Sequence, residues 1–333
     1  MKKFTAIFLT TVLVALCAVA LSGCNKGGIK FTLSEEGGKH YIVSYSGMSA
    51  PTGEYEIPAY YGEDNIPVTE IADEGFTGTH YSKITVPATI TKIGTAAFSF
   101  CNALETVEFA EGIQIESFSH GLFGECRSLK EIKIPDSVKT LEALVFSGCY
   151  NLSHVEMSAV EVIGIRAFAS CTALEEITLP STLTRIENLA FYNTGLKNVE
   201  IPGSLRDTVT VDGEGNETTV YGLGRASFNN CLNLESVKIG NGVKIIPAGT
   251  FGYCLALKEI YLPLSLEEIH GVSRDEKGAL QFGHAFYYCD ALKDVYYEGT
   301  EEEWKNIRID YTLYSSSVNN EAIRTAQKHF EYK

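Results

Sequence analysis

The sequence predicts an α/β solenoid: short parallel strands and short helical turns wound into a right-handed superhelix, with a β-rich N-terminal cap and an α-containing C-terminal cap. Three observations predict it. Phenylalanine recurs at near-constant spacing through the middle of the chain, the units at Phe123, Phe168 and Phe251 carry the same Cys, Leu, Ile and Pro offsets, and both ends lose the pattern. Composition allows a large core, since 45% of the 333 residues are hydrophobic and only 21% charged. A formal charge of −15 leaves no cationic footprint for nucleic acid or for anionic lipid headgroups.

Residues 1–23 are expected to be a signal rather than part of the fold. Lys2 and Lys3 precede an apolar run from Phe4 to Ala20, followed by Leu21-Ser22-Gly23-Cys24. A cationic start, an apolar stretch and small residues before a cleavage point describe a secretory signal. The run is short for a spanning helix. Its last four residues resemble a bacterial lipobox, which implies cleavage before Cys24 and lipidation of the Cys24 thiol. By that resemblance the protein is secreted and lipid-anchored to the bacterial cell surface, on an outer membrane or on the outer face of the cytoplasmic membrane. It would touch the membrane only through its lipid anchor, and two or three acyl chains hold a protein there far better than one.

Residues 24–29 form a polar tether. Over 30–70, Phe31-Thr-Leu33, His40 to Tyr45 and Tyr55-Glu-Ile57 alternate as strands. They are expected to pair onto the first turn as a β cap, because an open solenoid end exposes its core.

Residues 71–297 carry the repeat. Phe76, Phe98, Phe123, Phe146, Phe168, Phe191, Phe228, Phe251 and Phe286 lie 22 to 25 residues apart, except for gaps of 37 and 35. Counted from Phe168, Cys171 stands at +3, Leu174 at +6, Ile177 at +9, Leu179 at +11, Pro180 at +12, Leu183 at +15 and Ile186 at +18. Phe123 and Phe251 repeat these offsets. A unit this small cannot bury its own apolar side chains, so about nine units stack and share one core. Alternation at +9 and +11 marks a strand with two inward side chains, and the proline at +12 ends it for want of an N–H. The Ala-Phe segment up to the Cys is expected to form the short helical turn on the opposite wall. Strands stacked about 4.8 Å apart would give a body about 40 Å long.

Cys101, Cys126, Cys149, Cys171, Cys231, Cys254 and Cys289 share one repeat position. Secretion permits disulfides, but the set is odd in number, and Thr79 and Thr194 replace Cys in two turns. Buried free thiols, one per turn, are the better account. The chain lacks a Cys-x-x-Cys pair, metal-ligand spacing among its seven histidines, a Gly-x-Ser-x-Gly elbow and a phosphate loop. No catalytic residue, metal or cofactor is expected, and the protein is read as not an enzyme.

The two wide gaps hold insertions, near 205–221 and 270–281. In the first, β-rich runs flank a Gly-rich centre, the pattern of a projecting hairpin. Asp212, Glu214 and Asn216 alternate as in a calcium loop, but Glu217 and Leu223 stand where such a loop needs Gly and Glu. The second reads as a polar loop. In the C-terminal cap, 298–333, Thr300 and Glu303 form a capping-box pattern at the start of a helix. A second helical stretch spans 320–327, and Trp304 is expected to lid the last turn.

The recurring unit, as at Ala167-Phe168, Cys171, Leu174, Ile177, Leu179 and Pro180, resembles that of the BspA-like leucine-rich repeat family over roughly residues 70 to 297. The resemblance implies a microbial surface protein that acts by interaction or adhesion through its strand face and projecting loops. Its partner would be a host or microbial surface protein. If +9 and +11 point inward, +8 and +10 point out and align from turn to turn. These columns are mostly polar. At their C-terminal end, however, Tyr261 and Tyr296 lie one turn apart beside Glu259 and Asp294. Exposed aromatics with a polar handle favour recognition, so these four residues are the candidate contact. The occupant would be a protein or, since tyrosines stack on sugar rings, a glycan.

Overall fold

The computed structural model describes residues 28–48, 50–211, 217–274, 277, 279–311 and 320–332. Cys24 and the segment before it lie outside the described residues, as do Asp212, Glu214 and Asn216.

All but one of the repeats contribute a rung to a front wall of parallel strands. The rungs are Thr52–Glu56, His80–Val86, Thr106–Phe109, Glu131–Lys133, His154–Glu156, Asn198–Ile201, Ser236–Ile239, Glu259–Leu262 and Asp294–Tyr297. The front wall therefore starts at Thr52, inside the segment expected as cap. Alternation places Ile132 in the core between exposed Glu131 and Lys133, and Val155 likewise between His154 and Glu156. Register pairs equivalent positions, such as Val237 with Ile260 and Ile260 with Val295. The Phe168 turn differs. Glu176–Thr178 forms no strand, so the front pairing resumes only at Asn198.

A second wall of two-residue strands was not anticipated. Thr140–Leu141 pairs in parallel with Ser117–Phe118 on one side and with Val162–Ile163 on the other, and the row continues through Arg185–Ile186. Beyond a bridge at Leu223 it resumes with Ile245–Ile246, Glu268–Ile269 and Arg308–Ile309. In each pair from Ser117–Phe118 to Glu268–Ile269 the second residue is buried, at the +18 position or its equivalent. One inward residue per rung gives no alternation to detect.

On the third wall the expected short helical turns are reduced to one turn each. The Phe-to-Cys segments are single turns closed by i to i−3 bonds, as from Cys126 N–H to the Phe123 carbonyl. From Phe76 to Phe251 two left-handed residues bracket each ladder phenylalanine, while Phe286 has one, Tyr288. Leu144 and Gly148 flank Phe146 with φ of 63° and 76°, and Arg166 and Ser170 flank Phe168 with 55° and 62°. A residue in that region stops a right-handed helix, so only one turn fits between them. Each non-glycine residue held there costs about 1 kcal/mol. In exchange the turns stack. From Phe76 to Phe251 every ladder phenylalanine donates its N–H to the carbonyl just before the next ladder phenylalanine, at 2.7–3.0 Å.

Inside, the nine phenylalanines form one file. All are fully buried, with adjacent ring centroids 5.0–5.9 Å apart, in a single apolar cluster running from Val43 to Ala326. The seven ladder cysteines are free and buried beside them.

At the N-terminus, Ile29–Ser34 pairs antiparallel with His40–Tyr45, which runs parallel to Ile66–Ile71. At the other end, helix α1 (Glu301–Trp304) opens on the Thr300–Glu303 capping box. Trp304 meets Tyr297 edge to face at 5.5 Å. Helix α2 (Glu321–Thr325) leads into Gln327–His329, the last rung of the front wall. The first insertion is an antiparallel hairpin, Thr208–Val211 with Glu217–Val220. The second holds a short antiparallel pair, Ser273–Arg274 with Leu280–Phe282, where a plain loop was expected. No helix among the described residues is long and apolar enough to cross a membrane.

Candidate interaction surface

Three features of the molecule could form a site: the thiol file, the cavity beside the second insertion, and the C-terminal end of the front wall. The thiols have a structural role. Each ladder Sγ donates to the carbonyl of the phenylalanine one turn back, from Cys101 to Phe76 through Cys289 to Phe251, at 3.0–3.3 Å. Thr194 reaches the Phe191 carbonyl and the Cys231 thiol from a turn that lacks cysteine. Burial pushes the Cys231 thiol up to about 11 and raises the thiols of Cys126, Cys149, Cys171, Cys254 and Cys289, whereas the hydrogen bond with the Cys126 thiol lowers that of Cys101. A thiol held in its neutral form is a poor nucleophile and a poor metal ligand. Among the described residues no group of three or more His, Cys, Asp or Glu side chains could hold a metal ion.

A cavity of about 610 Å³ lies where the second insertion meets the second wall. Tyr221 from the first insertion packs edge to face on His270 at 5.4 Å, and Arg225 lies 5.5 Å from the Tyr221 ring. Burial, and then the nearby Arg225 cation, lower the His270 pKa. Glu268 pairs with both His270 and Arg308. The charges around this cavity answer one another.

The front wall changes character along its length. At its N-terminal end the outward residues form ion pairs across turns: Lys83 with Glu108 at 2.7 Å, and Lys133 with Glu156 at 3.8 Å. At its C-terminal end the structure brings the four predicted residues together. Parallel register sets Glu259 beside Asp294 and Tyr261 beside Tyr296, while Ile260 and Val295 anchor the strands beneath. The two tyrosine rings stack at 4.6 Å and 9°. Burial raises both phenol pKa values, and the nearby Glu259 and Asp294 carboxylates add to the effect.

Two further members were not foreseen. His329, on the closing rung, stacks on the other face of Tyr296 at 4.5 Å and meets the Asp294 carboxylate at 2.8 Å. Tyr332 folds back across the wall, 4.9 Å from Tyr261 and 5.6 Å from Tyr296. Its backbone N–H donates to the Tyr297 carbonyl. Both residues come from sequence without the repeat, so only alternation around Phe330 hinted at them. Beside Tyr261 a groove of about 260 Å³ opens between Glu200, Lys238, Glu259 and Tyr332.

The BspA type leucine rich repeat region matches this chain in six copies, over residues 69–158, 113–209 and 216–273, well over half its length. The chain belongs to the BspA-type leucine-rich repeat family. Among solved structures, a leucine-rich repeat protein from Bacteroides ovatus ATCC 8483 is 20% identical. It covers 92% of this chain and 98% of its own, with a TM-score of 0.50, a likeness of fold. A leucine rich cell surface protein from Faecalibacterium prausnitzii A2-165 is 20% identical over 89% of this chain and 100% of its own, with a TM-score of 0.46. A leucine-rich repeat protein from Bacteroides capillosus ATCC 29799 is 29% identical over 41% of this chain and 99% of its own, with a TM-score of 0.34. No curated protein matches the chain significantly.

Proposed function

We propose that this BspA-type chain is a non-catalytic adhesion module, held at the bacterial cell surface by a lipidated Cys24, that binds a partner protein through the C-terminal end of its front wall. One observation carries the proposal: Tyr261, Tyr296 and His329 stand stacked and half-exposed on a rigid ladder, with Tyr332 laid across them. Rigid aromatics lose little entropy on binding, and they dominate protein contact surfaces. The stack favours a protein over a glycan. A sugar packs on an open ring face, whereas Tyr296 has both faces covered, by Tyr261 and His329. Apart from the face that Tyr261 turns to the groove beside it, the stack offers outward ring edges and phenol hydroxyls.

The test exposes the full chain, in non-ionic detergent, to a panel of host-matrix and microbial surface proteins and to a glycan array. The proposal expects protein capture that falls at least tenfold in Tyr261→Ser/Tyr296→Ser. Capture unchanged in the double variant, or binding to glycans alone, overturns it. For the anchor, radiolabelled palmitate should be incorporated by the natural chain and not by Cys24→Ala.

A further inference from the structure

The groove beside Tyr261 has a definite chemistry. Its outer wall is the Tyr261 ring, with Tyr332 tilted over one side at 53°. Its floor and rim carry the Glu259 and Glu200 carboxylates, and Asp294 lies one rung further on. Among the described residues Lys238 is the only cation lining it, and its ammonium is already directed to Glu200, at 4.0 Å. The charge balance there is unlike that of the flanking column, where Lys130, Lys197 and Lys258 each neutralise a glutamate on the turn before. Aromatic faces and edge-on carboxylates together suit a guanidinium or ammonium group. A cation over a tyrosine ring gains attraction from the quadrupole, and a carboxylate within reach adds a charge-assisted hydrogen bond. An anionic or purely apolar side chain would meet repulsion or leave Glu259 desolvated without a partner.

We infer that the Tyr261–Tyr332 groove receives arginine or lysine side chains, so that the partner presents a cationic protein segment to this end of the front wall. The inference rests on the proposed contact surface and names the chemistry of its occupant. A chain of formal charge −15 attracts cations everywhere, so the test must separate the groove from the general field.

The full chain is applied to an array of twelve-residue peptides in three sets, of net charge +4, 0 and −4. Two variants are run beside it. Glu259→Gln/Tyr261→Ser alters the groove. Glu131→Gln/Glu176→Gln removes two carboxylates from the same wall, outside the groove. Glu259→Gln alone, being isosteric, serves as the check if the double variant folds poorly. The expected result is binding to the +4 set, weakened at least tenfold by the groove variants and less than twofold by the distant pair. Equal weakening by both double variants, or no retention of the +4 set, overturns the inference. Groove-sensitive binding to the neutral or −4 sets also overturns it, but leaves the front wall standing as the contact surface. Array binding insensitive to every groove variant, together with unchanged protein capture by Tyr261→Ser/Tyr296→Ser, removes both.

Discussion

The molecule contains two files of stacked rings built by the same device. Inside, nine phenylalanines repeat at 5.0–5.9 Å in complete burial. Outside, Tyr261, Tyr296 and His329 repeat at 4.6 and 4.5 Å on the front wall. In both, parallel in-register turns set equivalent side chains one above the other, so stacking follows from topology. The two files differ in what surrounds them. The inner file is closed by aliphatic residues and thiols, and it accounts for the fold. The outer file remains half in water, beside carboxylates, and the fold does not need it. The contrast teaches that a repeat supplies register everywhere, while a residue in that register that does not serve the core is left free to face outward.

The largest test of the inner file is alkaline pH. Cys231 is held near 11 by burial, against an ordinary value of 9.0. Because the thiol ionises less readily when folded, the unfolded chain releases its proton first. The stability from keeping it neutral is therefore present below pH 9 and is lost as pH rises from 9 towards 11. Two units amount to about 3 kcal/mol for this one group. Cys126, Cys171, Cys254 and Cys289 are shifted in the same direction. Cys101 is shifted the other way, and against a typical domain stability of about 5–15 kcal/mol the urea midpoint should fall steadily between pH 9 and pH 11. Urea midpoints at pH 8, 9.5 and 10.5 check this, and a flat profile would mean that the thiols are hydrated.

Next in size is Phe168→Ala. Phe168 is fully buried between Phe146 and Phe191, both 5.2 Å away. Its removal opens a cavity in the middle of the file, and a loss of about 3–5 kcal/mol is expected, measured by chemical denaturation. Since each repeat contacts only its neighbours, the denaturation curve should also lose cooperativity between the two halves. A smaller loss, about 1–2 kcal/mol, is expected for Cys171→Ala. That change removes the Sγ and its bond to the Phe146 carbonyl at 3.2 Å. The carbonyl keeps its other donor, the N–H of Cys149. A cost as large as that of Phe168→Ala would show that the thiols, not the rings, hold adjacent turns in register.

The ring spacing made the inner file legible in the sequence, because burial demands the same residue at the same offset in every turn. The two-residue rungs such as Thr140–Leu141 were not legible, since a single inward side chain carries no period. Nor were the left-handed positions. Leu144, Arg166 and Tyr253 occupy them with φ near 60°, and none announces it as glycine would. Those positions are also why each short turn stops after one round and never lengthens into a helix. Of the outer file, Tyr261 and Tyr296 could be aligned by counting from Phe251 and Phe286. His329 and Tyr332 could not, because the closing rung joins the wall by tertiary pairing rather than by repeat.

The smallest expected change in stability comes from Tyr261→Ser/Tyr296→Ser, and it separates the two files most sharply. Both rings are part exposed, and the residues anchoring their strands, Ile260 and Val295, are untouched. The variant loses a ring pair worth about 0.5–1.5 kcal/mol, but it also removes two half-buried apolar surfaces from partial contact with water. The urea midpoint should therefore move far less than in Phe168→Ala, although two rings are removed instead of one. Capture of the partner should fall at least tenfold in the same protein. A loss of stability comparable to that of Phe168→Ala would place the outer stack among the supports of the closing rung, with Tyr296 acting as the platform on which His329 and Tyr332 settle. The contact surface would then have to be sought elsewhere along the front wall.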